Sequence, residues 1–203
     1  MPPVRSLLTL LAALALLAGC AGSPFETDEP AATTTGQPRE YLDEQSGATV
    51  TAVDRPLIFA RDRSERAANL RDYVTLVAAA VNRGGAREYV LIAYVWSTLD
   101  PRYEPANPDA DALVLVADDR RIPLRTNGKT AADLGIVHGV GAPPGWAVPP
   151  LVFPSDLATM RFLAAARDLQ LQTKLDDVAV IYVLWDDQRR SLDRLVRFLG
   201  GER

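Results

Sequence analysis

The chain has 203 residues, enough for one domain with a substantial core and tight for two. A formal charge of −4, with 48% apolar and 24% charged residues, describes an ordinary globular protein and lacks the basic footprint of a nucleic-acid binder. One cysteine, Cys20, and one histidine, His138, exclude an internal disulfide, cysteine-based chemistry beyond Cys20, and any metal site built mainly on histidines.

The first element is a leader. Met1 to Arg5 is short and singly basic, and residues 7–17 are almost wholly apolar, with leucines at 7, 8, 10, 11, 14, 16 and 17. That is the order of a secretory signal. At about 1.5 Å rise per residue, this run covers roughly half of a ~30 Å hydrocarbon core, which makes it a poor permanent span.

Leu17-Ala18-Gly19-Cys20 follows. An aliphatic residue, two small residues and a cysteine resemble the bacterial lipobox, so the chain is expected to be a bacterial lipoprotein. The resemblance implies cleavage between Gly19 and Cys20 and a diacylglyceryl group on the Cys20 thiol. In many bacteria the new amino group is acylated as well. Each buried methylene contributes about 0.8 kcal/mol, so two or three acyl chains hold such a domain firmly. Ala21, not Asp, follows the cysteine, which implies passage to the outer membrane where one exists.

Residues 20–40 form the lipidated cysteine and a tether rich in small, polar and proline residues, with an r.m.s. reach of roughly 25 Å. Residues 41–203 are expected to form one globular domain. Ala48 to Val53 alternates as a strand, and Leu57 to Ala60 follows the Asp54-Arg55-Pro56 turn. Arg63 to Leu70 suits one or two helical turns. Tyr73 to Val81 and Tyr89 to Ser97 are long β-branched and aromatic runs separated by Asn82 to Arg87, whose glycines favour a hairpin. The second run is apolar on both faces and is expected to lie centrally, covered on both sides. After a Pro/Asn/Asp loop at 100–111, Leu113 to Ala117 and Arg121 to Arg125 read as a hairpin around Asp118-Asp119, with Pro123 marking an edge. Gly135 to Pro154 holds too many glycines and prolines for continuous regular structure.

The last third is mixed. Ser155 is expected to cap a helix carrying Leu157, Met160, Leu163 and Ala164 at helical spacing. Leu169 to Leu175 alternates. Val178 to Trp185 is apolar on both faces and reads as a second covered strand. Asp186 or Asp187 is expected to cap a final helix with Leu192, Leu195, Val196 and Leu199 on one stripe, closed by Gly200-Gly201. The expected fold is mainly β with two appended helices (α+β): an immunoglobulin-like antiparallel sandwich, with a small α+β sheet carrying helices on one face as the alternative.

Chemistry is sparse. His138 sits alone in a glycine-rich loop, and no Gly-x-Ser-x-Gly turn is present. Asn107, Asp109 and Asp111 alternate as in calcium loops, but the required glycine and distal glutamate are not at the right spacing. Gly128-Lys129-Thr130 lacks the first glycine of a phosphate loop, where Pro123 stands. No catalytic residue, metal site or cofactor is expected. Trp96, Tyr94, Trp185 and Tyr182 lie on strands and read as core. Trp146, on the Gly/Pro-rich segment, either pins that loop onto the sandwich, the favoured reading, or is a candidate partner or ligand contact, with His138 in the same segment and Tyr103 in the 100–111 loop as weaker candidates.

The expectation is a membrane-anchored envelope lipoprotein with a non-catalytic binding or assembly-accessory domain, in the periplasm or at the surface. Its partners would be the membrane, through the lipid, and an envelope protein or glycan, with no nucleic acid. An exposed sheet edge or apolar groove would carry the contact. The alternative is a small lipid-anchored hydrolase of wall or polysaccharide with two carboxylates at roughly 5 to 9 Å. The globular part is also broadly similar to uncharacterised proteobacterial lipoproteins of this size. That similarity is one of general pattern and brings no activity with it.

Overall fold

A computed structural model describes residues 36–64, 68–98, 113–136, 139–144, 149–175 and 178–201. The elements are β1 (Arg39–Asp43), β2 (Ala48–Ala52), β3 (Leu57–Asp62), β4 (Arg71–Arg83), β5 (Ala86–Ser97), β6 (Val114–Ala117), β7 (Arg120–Pro123), β8 (Leu151–Ser155), α1 (Leu157–Ala165), β9 (Leu169–Leu175), β10 (Val178–Asp186) and α2 (Arg189–Gly200). Every strand pairing is antiparallel. Among the described residues the fold is mainly β with two helices, as the pattern implies.

The β4–β5 hairpin is the spine. Gly84 and Gly85 both take positive φ, +58° and +87°, which suits a primed two-residue turn between long strands. One edge of β4 serves two partners. Its residues 79–82 pair with β2 and its residues 71–76 pair with β3. Between them residues 54–56 leave the ladder, while the Val53 N–H still reaches the Ala78 carbonyl at 3.0 Å. From this break the sheet continues in two directions, to β1 beyond β2, and to β10, β9, β6 and β7 beyond β3. On the other edge of the spine, β5 pairs with β8. The result is a branched, sandwich-like ten-stranded sheet.

Successive residues alternate between two faces, and along the β4–β5 spine both are buried: Val77 and Ala79 of β4 pair with Ile92 and Val90 of β5 on the face turned away from the helices. Leu57 and Phe59 of β3, Val74 and Leu76 of β4, and Leu91 and Val95 of β5 are buried on the other face. Leu163 of α1 and Leu192 of α2 meet Leu57, Leu76 and Leu91 around a small gap, so both helices pack on this inner face. Leu115, Leu171 and Tyr182 extend the core under the β6–β9–β10 arm.

Several local expectations are corrected. Ser155 ends β8, and the cap of α1 is Asp156, whose carboxylate accepts the Thr159 N–H at 2.6 Å. Pro154 lies inside a strand. It is tolerated because, among the described residues, β8 pairs only with β5, so the missing N–H breaks no second ladder. The described part of 63–70 is a connection closed by the Arg63 N–H on the Leu70 carbonyl, not a helix. Gln188 occupies the cap position of α2 without a side-chain capping bond, its amide donating instead to Asp186 Oδ1 at 2.6 Å, while Asp187 accepts the Arg189 N–H at 3.1 Å.

Candidate functional site on the outer face of β10

The residue pattern of β10 sends 179, 181, 183 and 185 to one face and 180, 182 and 184 to the other. The second set faces the core, where Tyr182 is buried. The first set does not: Ile181 is 50% exposed, Val183 58% and Trp185 54%. This corrects the expectation that Val178 to Trp185 is covered on both sides and that Trp185 is core. The register explains the tryptophan. Leu184 pairs with Phe59 but Asp186 pairs with Ile58, so Trp185 is the extra residue of a bulge, and bulges re-aim side chains.

Register then assembles the surroundings. One cross-strand row on the outer face runs Trp96, Tyr73, Ala60, Val183, Gln170, Val116. Tyr73 stacks on Trp96 with ring centroids 4.2 Å apart and meets Trp185 edge-on at 6.5 Å. Trp96 donates its indole N–H to Thr75 Oγ1 at 2.9 Å, which fixes the ring. The Arg71 guanidinium lies 4.2 Å over the Trp185 ring and donates to Asp62 at 2.5 Å. That bond raises the Arg71 pKa above its ordinary value. Arg121 donates to Gln172 Oε1 at 2.8 Å at the far side of the row. The surface is an aliphatic and aromatic centre ringed by arginine, aspartate and glutamine, on a strand whose two edges are already bonded to β3 and β9.

A second concavity of about 200 Å³ lies between Tyr41, Leu42 and Val50 on one side and Gly135, Ile136, Gly139 and Val140 on the other. Tyr94 supports it by donating its hydroxyl to the Val140 carbonyl at 3.0 Å. Burial pushes the Tyr94 phenol up to about 12.

The residues singled out from the sequence, Gly19, Cys20, Tyr103, His138 and Trp146, all lie outside the described residues. Of the strand aromatics, Tyr94 and Tyr182 are buried as expected. The outer face itself was missed by sequence reasoning. Its signal, an apolar residue at every second position from 179 to 185, was hidden by the equally apolar inner set. Among the described residues no three His, Cys, Asp or Glu side chains are placed to hold a metal, and no helix is long and apolar enough to cross a membrane. No family model, curated protein or solved structure matches the chain.

Proposed function

We propose that the chain is a lipid-anchored protein of the bacterial outer membrane, tethered through Cys20, whose domain binds an envelope protein through the outer face of β10. The observation that carries the binding half is the exposure of Ile181, Val183 and Trp185 side by side on an interior strand. Apolar patches rimmed by polar residues mark interaction surfaces. Trp, Tyr and Arg are the residue types that dominate binding energy. Because β10 is bonded on both edges, the surface is preformed and little ordering entropy opposes association. A face is a better candidate than an edge here: β7 presents Arg120, Arg121 and Pro123, which discourage strand addition. The Leu17–Cys20 motif and the polar segment after it support the anchor.

The test places a photo-crosslinking residue at Val183 and, as control, at Lys129 in living cells. A discrete adduct at Val183, absent at Lys129 and lost on Trp185→Ala, is expected. No adduct at Val183 in lipid-labelled protein sinks the binding face. Incorporation of labelled fatty acid that persists in Cys20→Ala sinks the anchor.

A further inference from the structure

The chain enters the described domain at a cationic corner. The Gly36 N–H donates to Asp54 Oδ2 at 3.0 Å, and Arg39 donates to Asp54 Oδ1 at 2.5 Å. A methyl group at Gly36 would collide with the Arg194 guanidinium, so this glycine lies directly against α2. The Arg55 N–H donates to Ser191 Oγ at 3.2 Å, which joins the 54–56 break to the same helix.

In a chain of net charge −4, α2 carries four arginines and one aspartate. Arg189 is occupied by Asp187 and by the carbonyls of Ala166 and Arg167. Arg190, Arg194 and Arg197 recur at i, i+4 and i+7, so they share the stripe opposite buried Leu192, Leu195 and Val196. Arg190 and Arg194 make no ion pair among the described residues. Arg197 pairs with Asp193 at 2.9 Å but keeps 63% of its side chain exposed. Phe198 stands next to it, 52% exposed. Arg39 and Arg55 flank the helix, each against one aspartate, Asp54 and Asp186.

We infer that this corner, the Arg190–Arg194–Arg197 stripe of α2 with Phe198 and the chain entry at Gly36, docks on anionic phospholipid headgroups. The inference rests on the lipid-anchor reading, which keeps the corner close to a bilayer. Two observations select this occupant. Charge complementarity favours a dense anionic surface over a single acid, because the arginines are spread along a stripe without forming a pocket. The covalent lead to the proposed lipid also arrives at this corner and no other. Arginines near such a surface attract it, and an exposed aromatic can enter the interfacial layer. The helices lie on the inner face of the sheet, opposite Tyr73 and Val183. Docking through α2 therefore turns the outer face of β10 away from the bilayer, toward a partner.

The protein purified from membranes would be reconstituted in phosphatidylcholine vesicles with and without phosphatidylglycerol, both carrying a headgroup quencher. A fluorescent residue replaces Gly200, exposed at the end of α2. Expected is quenching that requires phosphatidylglycerol, weakens at high salt, and shifts toward the undocked state roughly tenfold or more in Arg190→Glu/Arg194→Glu. The Arg190→Lys/Arg194→Lys protein retains docking, which separates charge from fold. Equal quenching with and without phosphatidylglycerol, or a glutamate variant that docks like its parent, overturns the inference. Flotation at high salt reads the Cys20 anchor alone. Its loss would sink the anchor, while the phosphatidylglycerol dependence at low salt still decides the corner.

Discussion

Replacing Val183 by Thr exchanges one methyl for a hydroxyl and keeps the β-branch, so strand propensity is nearly unchanged. Val183 is 58% exposed, so the new hydroxyl meets water. The expected cost is below about 0.5 kcal/mol, the range of surface substitutions. The same exchange at Val74 is the internal control. Val74 is fully buried, paired with Phe59 and Val95 on the core face. There the hydroxyl loses water without gaining a designed partner, at a cost of about 1–3 kcal/mol. For a domain of this size a loss of 1 kcal/mol lowers Tm by roughly 2–4 °C. Val74→Thr should therefore melt several degrees lower, and Val183→Thr within about 2 °C of the parent. Urea unfolding at constant m-value measures both. The binding consequence runs the other way: Val183→Thr weakens the crosslink from a probe placed at Ile181, and Val74→Thr leaves it intact in the folded fraction. If Val183→Thr destabilises as much as Val74→Thr, the outer face is a covered core surface and the binding argument falls.

Two further outcomes concern acid and base. The Thr159 N–H holds the Asp156 carboxyl below its ordinary pKa. Its contribution is present above the unfolded value of about 3.9 and is lost as pH falls through the lower folded value. Asp156→Ala should cost about 1 kcal/mol at neutral pH. Asp156→Asn should keep most of the cap while flattening the acid limb of the stability curve, and urea midpoints at stepped pH check both. Burial, reinforced by the negative charge of Asp72, raises the Tyr182 phenol to about 12. Stability from the neutral phenol is complete below the unfolded value of about 10 and is lost as pH rises through the folded one. Tyr182→Phe should therefore make alkaline unfolding shallower, read by circular dichroism, and should remove one late step from the tyrosinate absorbance titration.

Where local chemistry dictates geometry, the sequence was informative. Gly84-Gly85 between two apolar runs announced the spine hairpin, and Leu192, Leu195 and Val196 announced the buried stripe of α2. Asp118 was read as a turn residue. It takes φ +49° and its carboxylate also accepts the N–H groups of Arg167 and Asp168, a tie across about fifty residues that no local pattern contains. The failures share a cause. Ser155 and Asp156 are both good caps, and only the extension of β8 through Ser155 assigns the role to Asp156. Val178 to Trp185 is apolar on both faces, and composition cannot say whether a second layer covers the outer one. The basic stripe of α2, Arg190, Arg194 and Arg197, was passed over in the sequence, where only the apolar stripe of the same helix was singled out. Its meaning depended on Gly36 arriving beside it, a contact across more than 150 positions of sequence.

The grip of Asp54 on Gly36 and Arg39 has a mechanical side. Whatever holds the chain upstream of Gly36 transmits its pull into the domain at that residue. Among the described residues β1 is an edge strand bonded only to β2, and a force applied at its end would peel it open one hydrogen bond at a time. Asp54 sits in the 54–56 break, whose neighbour Arg55 is fastened to α2 through Ser191. Load entering at Gly36 is thus shared with the helix layer before β1 has to bear it, so the carboxylate acts as a strain relief for the edge of the sheet.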